Sequence, residues 1–275
     1  LHSYGLETAG GYLTMYPKTY KELWLAMTKP FFAKNSDISM ERYSSCFNRL
    51  YFYTITTPIP EIIFDEYYKL NLASLLNIKY FISEIPIINN HLVLIDKPSE
   101  LTNNPTFKNI LVLDKKDKIL KRAQENFLGR HHLYIYENLM VFPRFFLTNK
   151  IRYFNNNSDL LKAMANSSYK SLRETTFMDI YNMDNKNDSK TMSYKKGTIE
   201  VQHYSPDTIV LSVKTDGEAM LVVSNNYSPY WKCSINGKEE RVYKVDCTFW
   251  GIYVPPGKSI IKFTYKPPYR LTKTS

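Results

Sequence analysis

The last third of the chain is a string of short strands, and that pattern limits the fold more than any other feature. "TIEVQHY", "TIVLSVKT", "AMLVVSN", "WKCSIN", "ERVYKV", "WGIYVP" and "SIIKFTY" follow one another between residues 198 and 265, with turns such as "SPD", "DGE", "NGK" and "PPGK" among them. Apolar side chains alternate within the segments, and the connections are too short to hold crossover helices. Strands so joined pair antiparallel and close into two facing sheets, an Ig-like or jelly-roll-like β-sandwich. Asn236-Gly237 suits a tight two-residue hairpin, where both central residues take positive φ. Pro256-Gly257 suits a turn with glycine at the positive-φ position.

Upstream the periodicity changes. Tyr20, Leu23, Trp24 and Met27 recur at helical spacing, with Pro30 expected to close that helix. A second helix is expected from Pro60 to about Leu76, with Ile63, Tyr67, Leu70 and Ser74 on one face. "RLYFYTITT", "IKYFIS", "HLVLID" and "KNILVLD" read as strands, and "KDKILKRAQENFLG" as a short helix ending at Gly129. Residues 1–130 therefore form a mixed α/β unit, and the chain as a whole is α+β. From His131 strand patterns take over, in "HLYIYEN" and "RFFLTNKIRYF". The second unit, 131–275, carries a short inserted helix at about 158–165, capped by Ser158, and a polar mobile loop at about 182–197.

Composition bears mainly on partners. The net charge is +10, and 23 Tyr and 15 Phe accompany it. A basic, aromatic surface suits nucleic acid or anionic lipid headgroups. An AT-rich gene also writes Lys, Asn, Tyr and Ile freely. No run of five basic residues exists, so no nucleic-acid partner is expected. The most apolar stretch, Leu133 to Leu147, is interrupted by Glu137, Asn138 and Arg144, so no membrane helix is expected and the piece should be soluble. The chain begins at Leu1 without a signal peptide and reads as a fragment or a processed product.

Catalytic and metal motifs are missing. There is no GxGxxG, P-loop, GxSxG or HExxH, and no carboxylate pair spaced for acid–base work. His131 and His132 face opposite ways if they lie on a strand, so no metal site is expected there. Cys233 and Cys247 flank one hairpin; they either pair in an oxidising compartment or remain two buried thiols. The richest feature is aromatic. Tyr227, Tyr230, Trp231, Trp250 and Tyr253 lie within one sandwich. Such rings either fill the core or stand exposed and stack on a sugar face. Trp231 reads as core, and Tyr230, Trp250, Tyr253 and Tyr227 are the candidate glycan-binding residues.

The same region resembles a known family. "NYSPYWKCSINGK…VPPGKSIIKFTYKP" is similar to the C-terminal signature of YfhO-like bacterial membrane proteins, which runs Tyr-Tyr-Pro-Gly-Trp, strand, Asp-Gly-Lys, strand, Val-Pro-Ala-Gly, then a strand ending Tyr-x-Pro. "ETAGGYLTMYPKTYKELW", "LASLLNIKYFIS", "YENLMVFPRFFL" and "GTIEVQHYSPDTIVLSVKTDGEAMLVVSN" resemble further segments of that family in the same order. The chain departs at Tyr230, where the family usually has Gly, at Asn236, usually Asp, and at Trp250, near a position often Arg.

The resemblance implies a parent with many membrane helices and a GT-C-type glycosyltransferase architecture. Such enzymes take sugar from a polyprenyl-phosphate donor outside the cytoplasm, and their acid residues lie in a loop between the first membrane helices that this chain does not include. The chain is then expected to be a non-catalytic extracytoplasmic domain, at the periplasmic or cell-surface side, ahead of a final membrane helix after about Ser275. It would hold no cofactor of its own and would position a cell-envelope glycan acceptor beside its own transmembrane region and the membrane surface. A stand-alone carbohydrate-binding or adhesion module and a structural protein-interaction domain are the competing readings.

Overall fold

A computed structural model describes residue 9 and residues 11–12, 16–34, 49–50, 52, 61–96, 134–179 and 189–267. The expected strands "KNILVLD" and most of "RLYFYTITT", the expected helix ending at Gly129, the pair His131-His132 and Cys46 lie outside these residues. The chain divides into two units: residues 1–14 with 27–141, and residues 15–26 with 142–275. Helix α1 (Lys18–Lys34) contributes residues to both.

In the first unit, α1 runs on through Pro30 rather than ending there. Proline removes the N–H that would pair with the Ala26 carbonyl, and the next carbonyl, that of Met27, accepts the N–H of Lys69 at 2.9 Å. Phe31 and Phe32, just beyond the proline, are buried, and Phe31 stacks on Tyr68 at 6.1 Å. Burial of those rings favours continuing the helix over stopping it. Strands β1 (Gly11–Tyr12) and β2 (Arg49–Leu50) pair antiparallel. The expected second helix is two short ones, α2 (Phe64–Tyr67) and α3 (Leu70–Leu75). Strand β3 (Ile62–Ile63), which pairs parallel with β5 (Ile87–Ile88), takes the place of its first turn. A three-stranded sheet has the order β4 (Tyr80–Ser83), β7 (Tyr134–Asn138), β6 (Leu92–Asp96). The pairing of β7 between β4 and β6 is why residues 134–138 group with the first unit. Asn138 is buried, and its amide donates to Ser74 Oγ and the Ile78 carbonyl, so its desolvation is compensated.

The second unit contains the sandwich. One sheet has five strands in the order β12 (Gly197–Tyr204), β13 (Thr208–Thr215), β19 (Gly257–Tyr265), β15 (Trp231–Ile235), β16 (Lys238–Glu240). The other has seven: β11 (Ser189–Thr191), β9 (Lys150–Phe154), β10 (Thr175–Asp179), β17 (Tyr243–Val245), β18 (Phe249–Val254), β14 (Ala219–Val223), β8 (Phe145–Thr148). All neighbours are antiparallel except β9 and β10, which are parallel because helices α4 (Asn157–Asn166) and α5 (Tyr169–Glu174) cross between them. The inter-sheet core takes every second residue of its strands: Ile209, Leu211 and Val213; Leu221 and Val223; Cys233 and Ile235; Trp250, Ile252 and Val254; Ile261 and Phe263.

The sequence reading of this unit needs adjustment at four places. "ERVYKV" is two strands, β16 and β17, and the chain passes from one sheet to the other at Arg241-Val242. "RFFLTNKIRYF" breaks at Asn149 into β8 and β9. The inserted helix is capped by Asn156, not Ser158, through a bond of 2.9 Å from the Asp159 N–H to Asn156 Oδ1. Within the stretch expected as a mobile loop, Ser189–Thr191 pair with β9 and Met192 is buried. The two turn expectations agree with the structure: Asn236 and Gly237 have φ of 51° and 85° between β15 and β16, and Gly257 has φ of 100°.

Candidate functional site

One end of the sandwich is an open aromatic mouth. In an antiparallel ladder, residues directly opposite share a face. Tyr204 lies opposite Ile209, and Ile209 opposite Phe263. Trp231 lies opposite Tyr265, two residues beyond Phe263 on β19. Tyr204, Tyr265 and Trp231 are therefore inward-facing positions at the very ends of β12, β19 and β15. Strands are about 4.8 Å apart, so this rim is about 15 Å wide. The end positions keep solvent access: Tyr204 is 45% exposed, Tyr265 36% and the adjoining Tyr230 39%.

The rings form a continuous path from surface to core. Tyr230 meets Tyr265 edge-on at 6.2 Å, and Tyr265 meets Trp231 at 5.5 Å. Trp231 lies 4.6 Å from Trp250, which lies 5.3 Å from Phe263. Backbone bonds hold the platform: the Lys266 N–H donates to the Tyr230 carbonyl at 2.8 Å, and the Tyr265 N–H to the Asp207 carbonyl at 2.8 Å. A ring seated this way loses little further freedom when it meets a ligand.

Polar groups edge the rings. Ser205 Oγ donates to Asp207 Oδ1 at 2.8 Å, and that bond holds the exposed Asp207 carboxyl below the usual carboxylate range. Arg144 Nη1 donates to the Tyr204 hydroxyl at 2.9 Å and to Asn225 Oδ1 at 3.1 Å, with its guanidinium 5.5 Å from the Tyr204 ring centre. The mouth thus combines flat apolar faces with an anionic acceptor, Asp207, and a cationic donor, Arg144.

The four residues singled out from the sequence do not gather in one place. Tyr230 stands at the mouth. Tyr227 is half-buried and packs against the inter-sheet core. Trp250 is a correction: it is 1% exposed, and its indole N–H donates to the Asn226 carbonyl at 2.8 Å, so it is core and offers no ligand surface. Tyr253 lies on the other face of β18, because it is out of phase with Trp250, Ile252 and Val254. There it meets Tyr243 edge-on at 5.5 Å and Lys190 Nζ at 4.6 Å. Burial, helped by a hydrogen bond with Tyr153, pushes its phenol well up. Tyr265 and Tyr204 are not among the residues expected from the sequence, and Trp231, expected in the core, packs against it half-buried from the rim. The available signal was an aromatic at the last inward position of each strand.

Cys233 and Cys247 are separate buried free thiols. Cys233 points into the inter-sheet core, whereas Cys247 lies in the turn between β17 and β18 and donates to the Thr19 carbonyl at 3.2 Å. That turn holds two residues at positive φ, Asp246 at 47° and Cys247 at 70°. The buried Asp246 exchanges two bonds with Phe177: its N–H donates to the Phe177 carbonyl at 2.7 Å, and its Oδ1 accepts the Phe177 N–H at 2.8 Å. Desolvation outweighs the second bond and pushes its carboxyl up to about 7. Among the described residues no group of three or more His, Cys, Asp or Glu could hold a metal ion, and no helix is long and apolar enough to cross a membrane.

Comparison with known proteins adds one match. Residues 165–274 match the model of the family described as bacterial membrane protein YfhO. No curated protein and no solved structure matches the chain. The matched residues include every strand from β10 to β19 and all four rings of the mouth, Tyr204, Tyr230, Trp231 and Tyr265, and over that part the chain is similar to the bacterial membrane proteins of that family.

Proposed function

We propose that this chain is a non-catalytic extracytoplasmic domain of a polytopic membrane glycosyltransferase, and that its aromatic mouth positions a cell-envelope glycan acceptor. The parent would draw sugar from a polyprenyl-phosphate donor. Its own transmembrane region would hold the chemistry, next to the membrane surface. The family match supports the membrane-protein part of this reading. The observation that carries the acceptor role is the ring path from exposed Tyr230 and Tyr265 through Trp231 to buried Trp250. Flat rings anchored to a core give contact area at low entropic cost, which suits the apolar face of a sugar. Asp207 and Arg144 beside them suit its hydroxyls, because charge-assisted hydrogen bonds are the stronger ones.

Glycan-array binding of the chain, run beside Tyr230→Ala and Tyr265→Ala, tests this. Binding by the parent chain that both variants lose, at unchanged unfolding midpoint, is the expected result. If no glycan binds at high micromolar concentration, or if binding survives removal of both rings, the acceptor role is wrong and the domain is a scaffold.

A further inference from the structure

On the outer face of the seven-stranded sheet, one guanidinium nitrogen has no hydrogen-bond partner among the described residues. Phe145 and Leu147 face the inter-sheet core, so Phe146 between them points to the opposite face, where α5 lies on β8. Arg173, in the last turn of α5, extends over that face. Its guanidinium lies 5.2 Å from the Phe142 ring and 5.8 Å from the Phe146 ring. Tyr169 adds a wall, its ring 4.7 Å from Phe142.

Arg173 Nη1 is buried and has no hydrogen-bond partner. The adjoining carboxylate does not supply one, because Glu174 is held by Lys150 at 3.0 Å. Guanidinium N–H groups removed from water ordinarily find acceptors, and an orphan one carries a desolvation cost. Tyr169 lies four residues before Arg173 on α5, so the two side chains share a face of the helix. Burial raises the Tyr169 phenol, and the positive charge of Arg173 opposes the rise. The surroundings therefore offer a forked cation and a phenol donor between aromatic walls.

We propose that Arg173 and Tyr169 bind one oxyanion group, a phosphate or a carboxylate, at a site separate from the aromatic mouth. A guanidinium matches such a group through two parallel N–H···O bonds, and the Tyr169 hydroxyl adds a third donor. The Phe142 and Phe146 rings keep water from one side and so strengthen the attraction. The alternative is an arginine that only covers two phenylalanines, and it predicts no anion response.

The test is thermal unfolding and calorimetric titration of the chain with inorganic phosphate and, separately, glucuronate, at constant ionic strength. A ligand that binds only the folded state raises the midpoint in a saturable way. Saturation near millimolar ligand is expected, with affinity about tenfold weaker in Arg173→Lys and lost in Arg173→Met. Tyr169→Phe, which keeps the ring, should weaken binding by about threefold to tenfold. The proposal is overturned if neither anion binds the parent chain at about 10 mM, or if Arg173→Met binds as well as the parent. Co-sedimentation with phosphatidylcholine–phosphatidylglycerol vesicles then assigns the source. Retention that depends on Arg173 puts the group on a lipid headgroup, and its absence puts it on a soluble molecule or polymer. None of these readouts involves Tyr230 or Tyr265, so the outcome is distinguishable from that of the glycan-acceptor test.

Discussion

Trp250 and Tyr265 belong to one ring path and have opposite fates. Both are inward-facing aromatics near strand ends, and Trp231 touches both. Trp250 lies under the facing sheet and is 1% exposed, while Tyr265 is 36% exposed. The residue type does not decide this, and neither does the strand phase. What differs is whether the opposite sheet still extends over the position. In a sandwich the last inward position is where core becomes surface, and an aromatic there is anchored from below and open from above.

The sharpest break of that comparison is truncation. Trp250→Ala should cost about 3–5 kcal/mol, because it leaves a cavity and frees the Asn226 carbonyl from its indole partner. A drop in the urea midpoint measures it, and a loss below about 1 kcal/mol would mean that Trp250 is not core. The next effect is pH-dependent and concerns Asp246. Its folded pKa of about 7 lies above the unfolded value of about 3.9. The folded state therefore holds the proton more tightly, so the group's contribution is full below about pH 4 and is lost as pH rises to about 7. Asp246→Asn should remove a few kcal/mol of that decline between about pH 4 and pH 7. The exposed Asp159, Glu174, Asp207 and Asp216, all held below the usual carboxylate range, act at lower pH and with the opposite sign. Unfolding curves of both proteins at several pH values decide the matter; parallel curves would mean that Asp246 does not titrate there.

At the mouth the stability effects should be smaller. Tyr230→Ala and Tyr265→Ala should each cost about 1 kcal/mol or less, since their outer faces are already in water. A larger loss would make these rings structural and weaken the case for a ligand surface. The mildest test alters nothing in the fold. Burial pushes the thiols of Cys233 and Cys247 up to about 12, so neither should react with a thiol reagent at neutral pH until the chain unfolds. Fast native labelling of either residue, read by mass spectrometry, would mean that the core opens.

Much of the sandwich was legible before the structure. Alternation located the strands from β12 to β19, and the Asn236-Gly237 and Gly257 turns followed from the few residues that tolerate positive φ. Less legible were events that depend on a distant partner. "ERVYKV" reads as one strand because nothing local marks the passage at Arg241-Val242 between sheets. Pro30 reads as a stop, yet Phe31 and Phe32 find partners that reward continuing. The parallel pairing of β9 with β10 follows from the α4–α5 crossover rather than from the strands themselves.

The candidate site divides the same way. The amino-acid sequence alone determined which side chains share a face, because a two-residue period is built into the extended backbone. It determined that the aromatics concentrate in 227–265 and that no metal or nucleophile motif accompanies them. Only the tertiary structure decided which of those rings meets solvent, which separated Trp250 from Tyr265, and that Arg173 Nη1 is buried without an acceptor among the described residues. Burial is a property of two surfaces meeting, and the extent of the second surface is not written in the local pattern of the first.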